Sequence, residues 1–190
     1  MPSSAGSRIA DRLYGGAMPL YALDDMEPTI DPTAWVHPDA VVIGNVTIGP
    51  ESTVWPTVVL RGDHGTISIG ARTSVQDGTV VHCTPTNPTT IGDDCVIGHN
   101  AHLEGCTIED HALVGSCSTV LHDAIVRTGA LVGAGALVPN RMEVPSGAMA
   151  LGVPAKIKPD AVDPNLIDVS VATYVHNGHW YAKSLRRIDG

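Results

Sequence analysis

His82, His99 and Glu104 are the residue types from which proteins build catalytic zinc sites, where three nitrogen, sulfur or oxygen donors leave a fourth position for water. Around them lie Arg61, Asp63 and His64 in one short run, Gln76 and Asp77 in another, and a further imidazole at His102. Such a set could bind a divalent cation, acidify a bound water and carry its proton away. Each residue alone carries little weight, because a lone surface histidine is usually a solvated side chain. Something must bring them to one place.

A six-residue period would do so. Aliphatic residues recur at that step through Ile48, Val54 and Leu60, through Ile69, Val75 and Val81, through Ile91, Ile97 and Leu103, and without a break from Ile108 to Val144. The residue two places earlier is nearly always small or apolar, as at Thr79, Ala101 and Ala124. Positions two apart share one face of a strand, so both point inward. This period fits neither a helix nor a hairpin meander and is the signature of a parallel β-helix. Three hexapeptides close a triangular coil of about 18 residues that rises about 4.8 Å. Glycine after the aliphatic residue, as at Gly49, Gly70 and Gly92, is expected to relieve a tight corner.

Function is expected where the period slips. Extra residues fall in Arg61-Gly62-Asp63-His64-Gly65 and in His82-Cys83-Thr84-Pro85-Thr86-Asn87-Pro88. Insertions in a solenoid become loops on one side, often the binding side. Stacking Leu60, Val81 and Leu103 on successive coils puts the outward residues Arg61, His82 and Glu104 in one column. Val75 then lies under Ile97, which stacks Asp77 with His99 beside Gln76. A corner separates the two groups within one chain. A shared metal is easier if His99 comes from a neighbouring copy, which predicts a homotrimer with the metal between subunits.

A net charge of −9 argues against nucleic acid or an anionic membrane surface as partner. No apolar run is long enough to span a membrane, and the N-terminus lacks a signal-peptide core. Cys95 and Cys106 fall in the inward small-residue slot, so core thiols and a reducing cytoplasm are expected. We expect a flexible extension over residues 1–17, a β-helix domain over 18–160 whose coil region, residues 36–150, makes about six coils after a lead-in, and a helical tail over 161–190. Asp163-Pro164 reads as an N-cap with proline at the first helical position. Ile167, Val171, Tyr174 and Val175 recur at helical spacing, and Asn177-Gly178 is expected to break the helix.

The runs Ile43-Gly44-Asn45-Val46, Trp55-Pro56, Arg61-Gly62-Asp63, Val75-Gln76-Asp77, Val81-His82-Cys83-Thr84-Pro85, Ile97-Gly98-His99 and Gly105-Cys106-Thr107-Ile108 closely resemble the γ-class carbonic anhydrases and their bacterial hexapeptide-repeat, ferripyochelin-binding-like relatives. The resemblance covers roughly residues 20–185. It implies an all-β solenoid, a left-handed parallel β-helix with a C-terminal α-helix packed on it. It also implies a trimer with interfacial zinc, or iron or cobalt in its place. His82 and His99 would be ligands from adjacent subunits, and Arg61 and Asp63 an intersubunit ion pair. Gln76 would lie near the metal-bound solvent, and Asp77 would help form the active site.

The family's third ligand is a histidine at the position of Glu104, while here a histidine stands two places earlier, at His102. Stacking favours Glu104, which lies over His82, whereas His102 lies over Val80. A His₂Glu set is legitimate for zinc, and His122 on the next coil is a weaker candidate. Alternatively Glu104 pairs with Arg61 and closes the site. Metal-activated hydroxide would attack carbon dioxide to give bicarbonate, with His64 as proton shuttle. An anionic Glu104 would leave the water less acidic, so weak hydration that rises with pH is expected. The competing readings are a non-catalytic trimeric scaffold and an acyl-CoA acyltransferase, since Gly152-Val153-Pro154-Ala155-Lys156 suits the end of the coil in either enzyme group.

Overall fold

A computed structural model describes residues 19–189, so the expected extension over residues 1–17 lies outside the described residues. The six-residue period resolves into three faces of a left-handed parallel β-helix of about seven turns. One face stacks the strands Trp35–Val36, Thr53–Val54, Ser74–Val75, Val96–Ile97, Leu113–Val114, Leu131–Val132 and Met149–Leu151. The second carries Val80–His82 and His102–Glu104, and the third Thr89–Ile91 and Thr107–Ile108. The aliphatic residues of the period, among them Leu60, Val81, Leu103 and Val120, are fully buried, with Ala101, Ala124 and Thr79 beside them. A turn precedes the six expected over residues 36–150, because Leu20–Tyr21 and Thr29–Ile30 in the lead-in already pair in parallel with Val41–Ile48.

Two expectations need correction. Arg61–Gly65 is not a loop: it lies inside the continuous strand Val59–Ile69, which bends round the corner between the second and third faces. Its partner strand Val41–Ile48 is shorter, and the register shifts between Gly44 and Val46 to absorb the extra residues. Glycine also plays a different part at the corners. The left-handed backbone there falls on Glu51, Arg72, Asp94 and His111, with φ between 53° and 57°. Gly49 is needed because a Cβ would sit 2.6 Å from the backbone of Gly70 on the next coil.

One helix, α1 (Pro164–Ser184), packs back on the first face. Asp163 caps it by accepting from the Asn165 backbone N–H, with proline at the start as expected. Ile167 and Val171 are buried against Val96. Tyr174 and Tyr181 meet Trp35 and Trp55 in an edge-on aromatic cluster, so these aromatics pack outside the narrow coil. Asn177-Gly178 does not break the helix. Gly178 is buried where α1 touches the coil, and a Cβ there would sit 2.5 Å from Thr53 Cγ2. Its small size, not its flexibility, is what the sequence was specifying.

Candidate metal centre

Strand pairing sets both Arg61 and Glu104 in register with His82, so the expected column exists. Asp63 follows Arg61 by two residues on the same strand and turns to the same side, where its Oδ1 lies 3.0 Å from His82 Nε2. Arg61 donates to the other Asp63 oxygen of its own chain. On the opposite edge of the ring, His82 Nδ1 lies 3.0 Å from Glu104 Oε1. Glu104 therefore turns to His82 and not to Arg61. Its Oε2 lies 3.3 Å from His102 Nε2. His122 Nε2 is buried without a hydrogen-bond partner among the described residues, 3.6 Å from Glu104 Oε1.

Both carboxylates are anions at neutral pH. Partial burial pushes the Asp63 carboxyl up, but the donors on Arg61 and His82 outweigh it and hold the group below its ordinary value. The His82 ring lowers Glu104 against its own desolvation, and His102 adds to the effect.

The second group lies across the same strand. His99 Nδ1 stands 2.9 Å from Asp77 Oδ2, both side chains nearly half exposed. Gln76 is buried beside them, and its amide faces the phenol of Tyr174 on α1. Burial raises the Tyr174 pKa, and the Gln76 contact opposes that rise. Sequence reasoning placed Tyr174 only on the apolar stripe of the helix, because no spacing links the terminal helix to the third coil. His64 stands exposed on the long strand, next in sequence to Asp63.

In kind the donors suit a zinc-type ion, since neutral imidazole and carboxylate are its common nitrogen and oxygen ligands. Within one chain they form two halves. Among the described residues no group of three His, Cys, Asp or Glu side chains is arranged to hold a metal ion. His99 stands at the turn that opens this face, beside Asn100 with its left-handed backbone, and Glu104 at the far end of the strand His102–Glu104. The outer row of the face between them runs Val41, Val59, Val80, His102, Thr119, Leu137. Among the described residues nothing covers this row, for α1 lies on the first face. The third face, by contrast, shows Thr47, Ser68 and Thr90 to solvent.

A solenoid of hexapeptides with histidines and carboxylates at one corner defines a class, and comparison with known proteins agrees. The pattern described as "bacterial transferase hexapeptide (six repeats)" matches residues 88–122. Carnitine operon protein CaiE of Escherichia coli is 34% identical over 78% of this chain and 76% of its own length. Gamma carbonic anhydrase 2, a mitochondrial protein of Arabidopsis thaliana, is 42% identical over 77% of this chain, which spans about half (55%) of that relative's length. The crystal structure of a hexapeptide transferase family protein from Anaplasma phagocytophilum superposes with a TM-score of 0.82 at 32% identity, covering 90% of this chain and 99% of that one. The chain belongs to the hexapeptide-repeat family of γ-carbonic anhydrase-like proteins.

Proposed function

We propose that this chain assembles as a cytoplasmic homotrimer whose subunit contacts complete a metal centre for the reversible hydration of carbon dioxide. The observation that carries this reading is the placement of two half-sites on opposite edges of one largely apolar face that the described residues leave uncovered. A head-to-tail contact across that face meets the His82 edge of one copy with the His99 edge of the next, and a ring satisfies every copy. His82 and His99 from different copies would hold the ion, with a third donor from the strand His102–Glu104. Zinc is the expected ion, with iron or cobalt as substitutes; when bound, it makes water acidic enough to supply hydroxide near neutral pH.

The protein groups then have separate tasks. Asp77 holds His99 through Nδ1 and so leaves Nε2 as the coordinating nitrogen. Gln76, held against Tyr174, offers its amide to orient the attacking oxygen. Arg61 neutralises Asp63 beside His82. Val59 and Val80 supply an apolar wall for an uncharged gas. His64 is free to pass a proton to solvent. The anionic Glu104 offsets part of the ion's charge, so turnover is slow at neutral pH and rises with pH.

The engagement of both His82 ring nitrogens by carboxylates favours a second reading, a trimeric scaffold without turnover. Acyl transfer, suggested by relatives described as transferases, fits less well. The first insertion is absorbed into a strand, and only residues 83–88 are left to form a loop. A thioester-release assay with a panel of acceptors separates it. The direct test is metal content of never-chelated protein by plasma mass spectrometry. About one ion per chain, lost in His99→Ala, supports the interfacial centre. Metal-free trimers that cannot be reloaded would sink it.

A further inference from the structure

Resting on that reading, we infer that Glu104 is not the third ligand but the carboxylate that orients His82, and that His102 supplies the third nitrogen. Glu104 is already surrounded by imidazoles. Oε1 lies 3.0 Å from His82 Nδ1 and 3.6 Å from His122 Nε2, and Oε2 lies 3.3 Å from His102 Nε2. To coordinate an ion it would have to give up, through Oε1, the contact that fixes the His82 ring or, through Oε2, the contact with His102. A ligand histidine ordinarily donates its second N–H to a carboxylate, and this outer partner fixes the tautomer and the ring direction. Glu104 occupies that place on Nδ1, which leaves Nε2 to bind.

At present Nε2 faces Asp63, but Asp63 keeps Arg61 as a partner when His82 turns to an ion. His82 therefore loses nothing essential on one side and is held on the other. His102 meets the remaining requirement. Its side chain is 39% exposed against 24% for Glu104. It also lies in the apolar outer row, between Val80 and Thr119, where the neighbouring copy would arrive. His122 is part exposed, but its Nε2 is buried and closes the third side of the carboxylate.

Glu104→Gln and His102→Ala would be compared with the unmutated trimer. The readouts are metal per chain, retention against a chelator and, after cobalt loading, the visible d–d bands. The amide of Glu104→Gln can still accept from His82 Nδ1. That variant should keep close to full metal and a cobalt spectrum of unchanged coordination number, with retention weakened about 10–100-fold. His102→Ala should elute as a trimer and lose its metal. An empty Glu104→Gln trimer overturns the assignment, as does a His102→Ala trimer that stays full. If the unmutated trimer binds no ion at all, the interfacial metal reading itself has failed, an outcome distinct from either variant result.

Discussion

His82 sits between two carboxylates of its own chain, and that is the chemical peculiarity of this protein. Glu104 keeps a negative charge in contact with the ring whichever residue completes the ligand set. Replacing it by glutamine removes that charge while keeping an acceptor. The prediction is that Glu104→Gln moves the midpoint of the hydration pH–rate profile to lower pH, read by stopped-flow hydration across pH 6–9. An unchanged profile would show that the carboxylate does not tune the reaction. Tyr174 offers a second test on the other half-site. Tyr174→Phe leaves the ring stack on Trp55 but takes away the oxygen facing Gln76. Losing that one polar contact, about 1 kcal/mol, would lower kcat/KM about five-fold with little change in melting temperature. A large loss of stability instead would make Tyr174 a packing residue only.

At the scale of elements, α1 and the coil meet so closely that a methyl group decides the fit. Gly178→Ala gains about 1 kcal/mol of helix propensity but meets Thr53 Cγ2, and overpacking of this kind costs about 1–3 kcal/mol. We expect a lower melting temperature for Gly178→Ala. Adding Thr53→Ser removes the offending methyl yet keeps the hydroxyl that bonds Ser74, so the double variant should recover the loss. A double variant no better than the single one would place the strain elsewhere.

The coil corners carry a second element-scale effect. The Arg127 guanidinium beside Glu109, with the Thr128 backbone N–H, holds that carboxyl below its ordinary value. A lowered folded-state pKa gives stability that is present above the unfolded value, about 4.3, and is lost as pH falls through the folded value. Melting temperature should therefore drop below about pH 4, and Glu109→Gln should flatten part of that acid limb.

For the whole molecule, the proposed assembly divides the site so that no single copy carries all of it. His82→Ala and His99→Ala trimers should each be empty. Unfolding them together and refolding the 1:1 mixture should restore metal at about a quarter of the interfaces, as random assembly round a three-fold axis requires. Recovery of none would mean that both histidines serve the same half, against the head-to-tail arrangement.

The hexapeptide period alone determined the solenoid. A side-chain rule that repeats every six residues needs no distant information, and it set the buried column of Leu60, Val81 and Leu103 as well as the alignment of Arg61, His82 and Glu104. The cap at Asp163 was equally legible, because capping is a local hydrogen bond. Tertiary structure decided the rest. Only the docking of α1 shows that Gly178 is a contact and not a break, and that Tyr174 reaches Gln76. Only the paired strands show Arg61–Gly65 as a bent strand, because its backbone partners lie on neighbouring coils. Glu104 turns from Arg61 to His82 for the same reason: stacking fixes which residues are neighbours, whereas side-chain direction and competing partners fix which of them bond.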